Sequence, residues 1–161
     1  MTEAKPKDRQ RVFLVVVDET EEMRVALRYA ARRAKATGGR VDLAHVMEPP
    51  EFQQWSAIGD LMKEEQREQA ERLLQALSSK VFDMSGSFPG LHLLEGTRRE
   101  EVVKLLQEDP GISILVLGAG TGPEGPGPLV SHLVGKMAGR LRVPITIVPG
   151  SLSDEEIDAL T

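Results

Sequence analysis

The residues best suited to chemistry in this chain gather around Gly118. An apolar run, Ile112–Gly118 (ISILVLG), leads into Ala119–Pro128, a loop made almost wholly of glycine, threonine and proline. A strand, a glycine-rich loop and a helix start form a cradle for phosphate, because glycine lets backbone N–H groups approach an anion and the helix end adds partial positive charge. Asp18 follows another apolar run, Val12–Val17 (VFLVVV). There a carboxylate can accept hydrogen bonds from ribose hydroxyls, or it can simply cap a turn or a helix. His132 lies in the helical pattern behind the loop. A neutral imidazole donates one hydrogen bond, and a protonated one adds positive charge beside a phosphate; the alternative is a surface histidine. His45 and His92 read as structural or surface residues, and three scattered histidines argue against a transition-metal site.

Other patterns carry less. Gly120-x-Gly122-x-x-Gly125 matches the dinucleotide fingerprint in form, but it follows the fourth strand instead of the first. Gly135-Lys136 has no glycine five residues upstream, so it is not a Walker loop. There is no nucleophile elbow, no paired His and Ser, and no HExxH helix. The expectation is a protein that is not an enzyme. Even weak ATPase activity would need a metal-binding acid, and Glu124 is the only acid in the loop.

The elements that must hold these residues alternate along the chain. Val12–Val17 is a β-branched run of the kind found in strands buried on both faces. Met23, Leu27, Ala30, Ala31 and Ala34 recur at helical spacing, with acids first, bases last and Gly38-Gly39 as the stop. Val41–Val46 is a second strand. Glu51–Gly59 reads as loop or short helix, with Phe52, Trp55 and Ile58 as anchors. A long helix follows over Leu61–Val81, its apolar stripe formed by Ala70, Leu73, Leu74, Leu77 and Val81 and its charged face by Lys63–Arg72. Leu91–Leu94 is a third strand. Thr97 and Glu100 form a capping box before Val102, Leu105 and Leu106, and Ile112–Leu117 is the fourth strand. A helix over Leu129–Leu141 leads to a fifth strand, Pro144–Val148. Right-handed crossovers and one reversal of direction give an α/β fold: a doubly wound, five-stranded parallel sheet of order 3-2-1-4-5 with helices on both faces.

Composition bounds the function. The 161 residues suit one domain with a real core. Residues 1–10 read as a disordered arm, 11–150 as the α/β domain and 151–161 as an acidic tail, either a helical turn or loose. No cysteine is present, which removes disulfides and thiol chemistry and fits a cytoplasmic protein. No apolar run reaches the roughly 20 residues that span a bilayer, so no membrane is expected. Acids outnumber bases 25 to 20 without a basic patch interleaved with aromatics, which argues against nucleic acid.

In order and spacing, the pieces resemble the universal stress protein family from about Val12 to Val148. VVVDET resembles the family's V-A-V-D-G-S opening, ALRYAARRAKATGGRVDLAHVMEP its first helix and second strand, and VPITIVP its end. LEGTRREEVVKLL is similar to its G-x-P-x-x-x-I segment, with Arg98 in place of proline. The family's nucleotide-binding members carry G-x2-G-x9-G followed by Ser or Thr after strand four. Aligned without gaps, this chain has Gly118, Thr121 and then Ser131-His132, with Leu133 behind them. A shifted reading, Gly122, Gly125 and Gly135, puts Lys136 where the hydroxyl belongs. The resemblance implies that Gly118 and Thr121 line phosphates, that Ser131, His132 and Leu133 close the motif, that Asp18 meets ribose, and that Val46 offers its backbone to adenine. It further implies a non-catalytic role in stress response, with ATP or AMP bound weakly if at all, and a homodimer formed by antiparallel pairing of strand 144–148. The competing reading is a ligand-free structural or protein-interaction module.

Overall fold

The first strand, β1 (Val12–Val16), is buried along its whole length, and its alternation divides the core in two. Phe13, Val15 and Val17 face one layer, while Val12, Leu14 and Val16 face the other. The computed structural model describes residues 9–49 and 56–161. Along the chain β1 is followed by α1 (Glu21–Thr37), β2 (Arg40–Met47), α2 (Ser56–Ser85), β3 (Gly90–Glu95), α3 (Arg98–Glu108), β4 (Ile114–Ala119), α4 (Pro128–Gly135), β5 (Ile145–Pro149) and α5 (Asp154–Leu160). All four strand pairings are parallel and the order is β3-β2-β1-β4-β5, as the alternating pattern predicts. Residues of α1, α2 and α5 fill the Phe13 layer, and residues of α3 and α4 fill the Leu14 layer.

Local chemistry explains most boundaries. Thr20 caps α1 by accepting the Met23 N–H at 3.3 Å, and Gly38 ends it in the left-handed region at φ 68°. In α2 the buried positions are Ala70, Leu74, Leu77 and Val81, with Leu73 partly buried beside them. Lys63–Arg72 is mostly exposed. This helix starts at Ser56, five residues before the sequence pattern predicts. The expected anchors Phe52 and Trp55, and the side chain of Ile58, lie outside the described residues.

Two expectations change, and one alternative is decided. The last crossover helix was expected over Leu129–Leu141, but α4 ends at Gly135. Gly135 and Gly139 weaken helix continuation, and the chain turns instead, with the Arg140 and Leu141 N–H groups both donating to the Met137 carbonyl. Met137 and Leu141 still pack against the core, whereas Val134 is 45% exposed. The Thr97–Glu100 capping box does not form. Thr97 occupies the N-cap of α3 without a side-chain cap bond, and the Arg98 N–H donates to Glu48 Oε1 at 3.3 Å. The box occurs instead at Ser153 and Glu156, opening α5. Of the two readings of Ser151–Thr161, the helical one holds, with α5 over Asp154–Leu160 packed on the sheet layer. Ile157 is wholly buried, and Asp158 holds Arg28 at 2.9 Å and Arg32 at 3.0 Å on α1.

Candidate functional site

The reversal of strand order between β1 and β4 leaves a crevice at their carboxyl ends, where open α/β sheets hold ligands. Asp18 enters it directly after β1. Its Oδ1 accepts the Thr20 N–H at 2.8 Å and the Thr20 hydroxyl at 2.5 Å, which fixes the turn that presents Thr20 as the cap of α1. Oδ2 accepts no hydrogen bond among the described residues, so half of the carboxylate is free for a ligand. Gly118, on β4, lines the same crevice and is glycine for a steric reason. A Cβ there would run into the backbone carbonyl of Glu22, so glycine is what lets the start of α1 lie against β4. The Glu22 carboxylate then reaches toward the loop, with Oε1 only 3.2 Å from where a Cβ on Gly120 would sit.

These residues, with Arg98 and the first turn of α4, line a cavity of about 140 Å³. A second cleft of about 270 Å³ opens beside it, lined by Glu48, Thr97, Arg98 and Arg99. Arg98, Pro128 and Leu129 border both spaces. The Arg98 Nε is buried and has no hydrogen-bond partner among the described residues. An unpaired buried donor costs about 1–3 kcal/mol, so an acceptor arriving in the crevice would be favoured.

The loop itself makes a poor cradle. The Gly120 N–H donates to the Pro126 carbonyl at 3.0 Å and the Gly125 N–H to the Gly122 carbonyl at 3.1 Å. Pro123, Pro126 and Pro128 have no N–H to offer. Two carboxylates, Asp18 and Glu22, oppose the single guanidinium of Arg98 in the cavity. The arrangement suits a ligand with hydroxyls and modest negative charge better than a triphosphate.

The remaining sequence candidates lie apart. Thr121 is exposed on the loop, and Ser131 is exposed on α4. His132 is the fifth residue of α4, past the free N–H groups of its first turn, and lines a shallow depression with Arg99, Lys104 and Lys136 between α3 and α4. Leu133 is completely buried, and the Val46 side chain belongs to the same core layer. The structure thus brings Asp18 and Gly118 together and places Val46, Thr121, Ser131, His132 and Leu133 outside that cavity's lining. Sequence reasoning missed Glu22, Thr20 and Arg98 as its neighbours. Arg98 was visible as the residue replacing proline, whereas Glu22 reads from sequence only as a helix-dipole acid.

A second polar group sits inside the sheet. Asp42 on β2 is 2% exposed, and its carboxylate accepts from Arg40 Nε and His92 Nε2, each at 2.8 Å. Burial pushes the Asp42 carboxyl up, but the His92 and Arg40 contacts together outweigh it and hold it below the usual carboxylate range. Gly90 on β3 leaves room for that carboxylate, which a Cβ would strike. Asp109 approaches closely enough for one ligand atom each of Asp42, His92 and Asp109 to lie within 4.8 Å. With both Asp42 oxygens already engaged, the group is a structural tie between β2 and β3. His45 is likewise held in place, its Nδ1 3.3 Å from the Val17 carbonyl.

Comparison with known proteins agrees with this architecture. The sequence matches the universal stress protein family over residues 10–149. A universal stress protein UspA from Lactobacillus plantarum superposes with a TM-score of 0.73 at 15% identity, over 87% of this chain and 98% of that one. A universal stress protein from Archaeoglobus fulgidus, solved in complex with dAMP, gives 0.57 at 17% identity, over 86% and 96%. Another, solved in complex with cAMP, gives 0.60 at 16% identity, over 89% and 100%. Comparison with curated proteins gives no match. The family match covers most of the chain, and the fold agrees with it from β1 to β5: this protein belongs to the universal stress protein family.

Proposed function

We propose that this protein is a non-catalytic stress-response protein that binds an adenine nucleotide weakly at the carboxyl edge of the sheet, with AMP favoured over ATP. One observation carries the reading. Asp18, with a free carboxylate oxygen, and Gly118 meet at the mouth of α4, with the unpartnered Arg98 Nε beside them. Asp18 would accept hydrogen bonds from ribose hydroxyls, and Arg98 would turn toward the phosphate. Solved relatives holding dAMP and cAMP support the ligand class. Weakness follows from size and loop chemistry. Small-molecule sites usually enclose about 300–1,000 Å³, so a nucleotide needs both compartments, and Arg98, Pro128 and Leu129 must shift to join them. Affinity should then lie between ~10 µM and ~1 mM, about 7 to 4 kcal/mol.

Calorimetric titration of AMP and adenosine into wild type, Asp18→Ala and Arg98→Ala tests the assignment. AMP should bind more tightly than adenosine to wild type, and Arg98→Ala should abolish that difference. Asp18→Ala should weaken both ligands. Equal affinities in all three proteins would return both residues to structural roles. The second reading, a ligand-free interaction module, is favoured by the Gly120 and Gly125 N–H groups bonded within the loop and by the prolines beside them. We propose also that β5 pairs with a second copy of itself, since it forms an edge of the sheet.

A further inference from the structure

A wide concavity lies at the opposite, amino-terminal edge of the sheet. It encloses about 860 Å³ and is bordered by Arg9, Arg11, Arg40 and Arg142, with no acidic residue in its lining. The chain as a whole is acidic, with a net charge of −5, so this is a local reversal of sign. Two of the guanidinium groups are fixed. Arg142 donates to the carbonyls of Leu106, Asp109 and Ile112 at 2.9–3.1 Å. Those partners are neutral, and they hold its charge in place without cancelling it. Arg40, at the start of β2, lines the cavity and is paired through Nε with the Asp42 carboxylate at 2.8 Å, which fixes it and offsets its charge. The other two, Arg9 and Arg11, are exposed and form no ion pair among the described residues. The Ser113 hydroxyl, which accepts the Val12 N–H at 3.0 Å, keeps its own proton for donation into the same space.

We propose that this basin is a binding site for a small molecule carrying two or more phosphate groups. Planar guanidinium forks match phosphate oxygens in pairs. The cations reach the basin from the segment before β1, from the start of β2 and from the approach to β5, and a chain of phosphates offers oxygens to several of them at once. The volume falls within the usual range of about 300–1,000 Å³ for small-molecule sites. Held and exposed arginines together would give a preformed floor and a solvent-facing rim. The basin lies a sheet's length from Asp18, roughly 15–20 Å by strand rise, and does not depend on the nucleotide reading.

Sodium tripolyphosphate is the probe, titrated calorimetrically into the full chain at about 0.1 M salt, where the Debye length is about 10 Å. One saturable site per chain is expected. Arg9→Ala/Arg11→Ala removes two exposed contacts and should weaken binding at least about tenfold, since charge-assisted contacts are the strong ones. Arg24→Ala/Arg67→Ala changes net charge equally at exposed positions on α1 and α2, and should weaken it less than about twofold, as distant exposed charges are screened. Circular dichroism checks that both variants fold as wild type does. Absence of saturable heat, or equal losses in the two double variants, would overturn the proposal. So would tighter binding of single-stranded RNA at matched phosphate concentration, which would point to a polymer instead.

Discussion

Gly118 and Asp42 show how single residues set the limits of this fold. Gly118 faces the carbonyl of Glu22 with no space for a Cβ, so Gly118→Ala must push α1 away from β4. Overpacking of this kind costs about 1–3 kcal/mol, and thermal melting should show a clear drop, with nucleotide affinity falling alongside it. Asp42 makes a different prediction. Its folded pKa lies below the ordinary value of 3.8 because His92 and Arg40 together outweigh the cost of burial. A depressed carboxylate contributes stability above its unfolded pKa and loses it as pH falls through the folded one. Wild type should therefore lose part of its stability only below about pH 4, near the unfolded Asp value. Asp42→Asn should be less stable at pH 7 and show a flatter acid limb in urea melts recorded across pH. Parallel acid limbs for the two proteins would remove Asp42 from the account.

At the scale of elements, α5 gives the sharpest test. Its only wholly buried side chain is Ile157, set between a Ser153 cap and the Asp158–Arg28 pair. Ile157→Ala should cost about 2–5 kcal/mol by loss of burial and the cavity left behind, measured by chemical denaturation; a loose tail would lose almost nothing. This helix was poorly legible in the sequence because one isoleucine among acids gives no periodic stripe. The strands, by contrast, were legible in order and kind. Runs such as VFLVVV and ISILVLG, separated by helical spacing, leave few topologies open. The last crossover was misjudged for a physical reason. Met137 and Leu141 do pack against the core, but on turns around Gly139, where burial periodicity survives without the helix. The site was half legible. Asp18 and Gly118 follow from their places at strand ends, while Arg98 and Glu22 meet there only because distant elements fold together. His132 fits the ungapped motif in sequence, but in space it sits one turn inside α4.

For the whole molecule, the parallel sheet leaves β5 as an edge. Ile145 and Ile147 pack inward against the α3 and α4 layer, and Val148 packs into the other. Pairing of two copies would therefore run through backbone groups, between Pro144 and Pro149. The chain has no cysteine, so Thr146→Cys introduces a single thiol, and oxidation should yield a covalent dimer on a non-reducing gel. Light scattering of wild type should show the dimer mass at micromolar concentration. A monomer mass with no covalent dimer would leave the edge unpaired.

Nucleotide occupancy at the carboxyl edge is tested most directly by native mass spectrometry with an AMP titration. Freshly purified protein should carry no stoichiometric nucleotide. One AMP per chain should then appear only over the range from ~10 µM to ~1 mM, because the Gly120 and Gly125 N–H groups are bonded within the loop and the crevice must open. Nucleotide retained at one per chain through purification would contradict the weak-site account. Absence of an AMP adduct at ~1 mM would contradict the site itself.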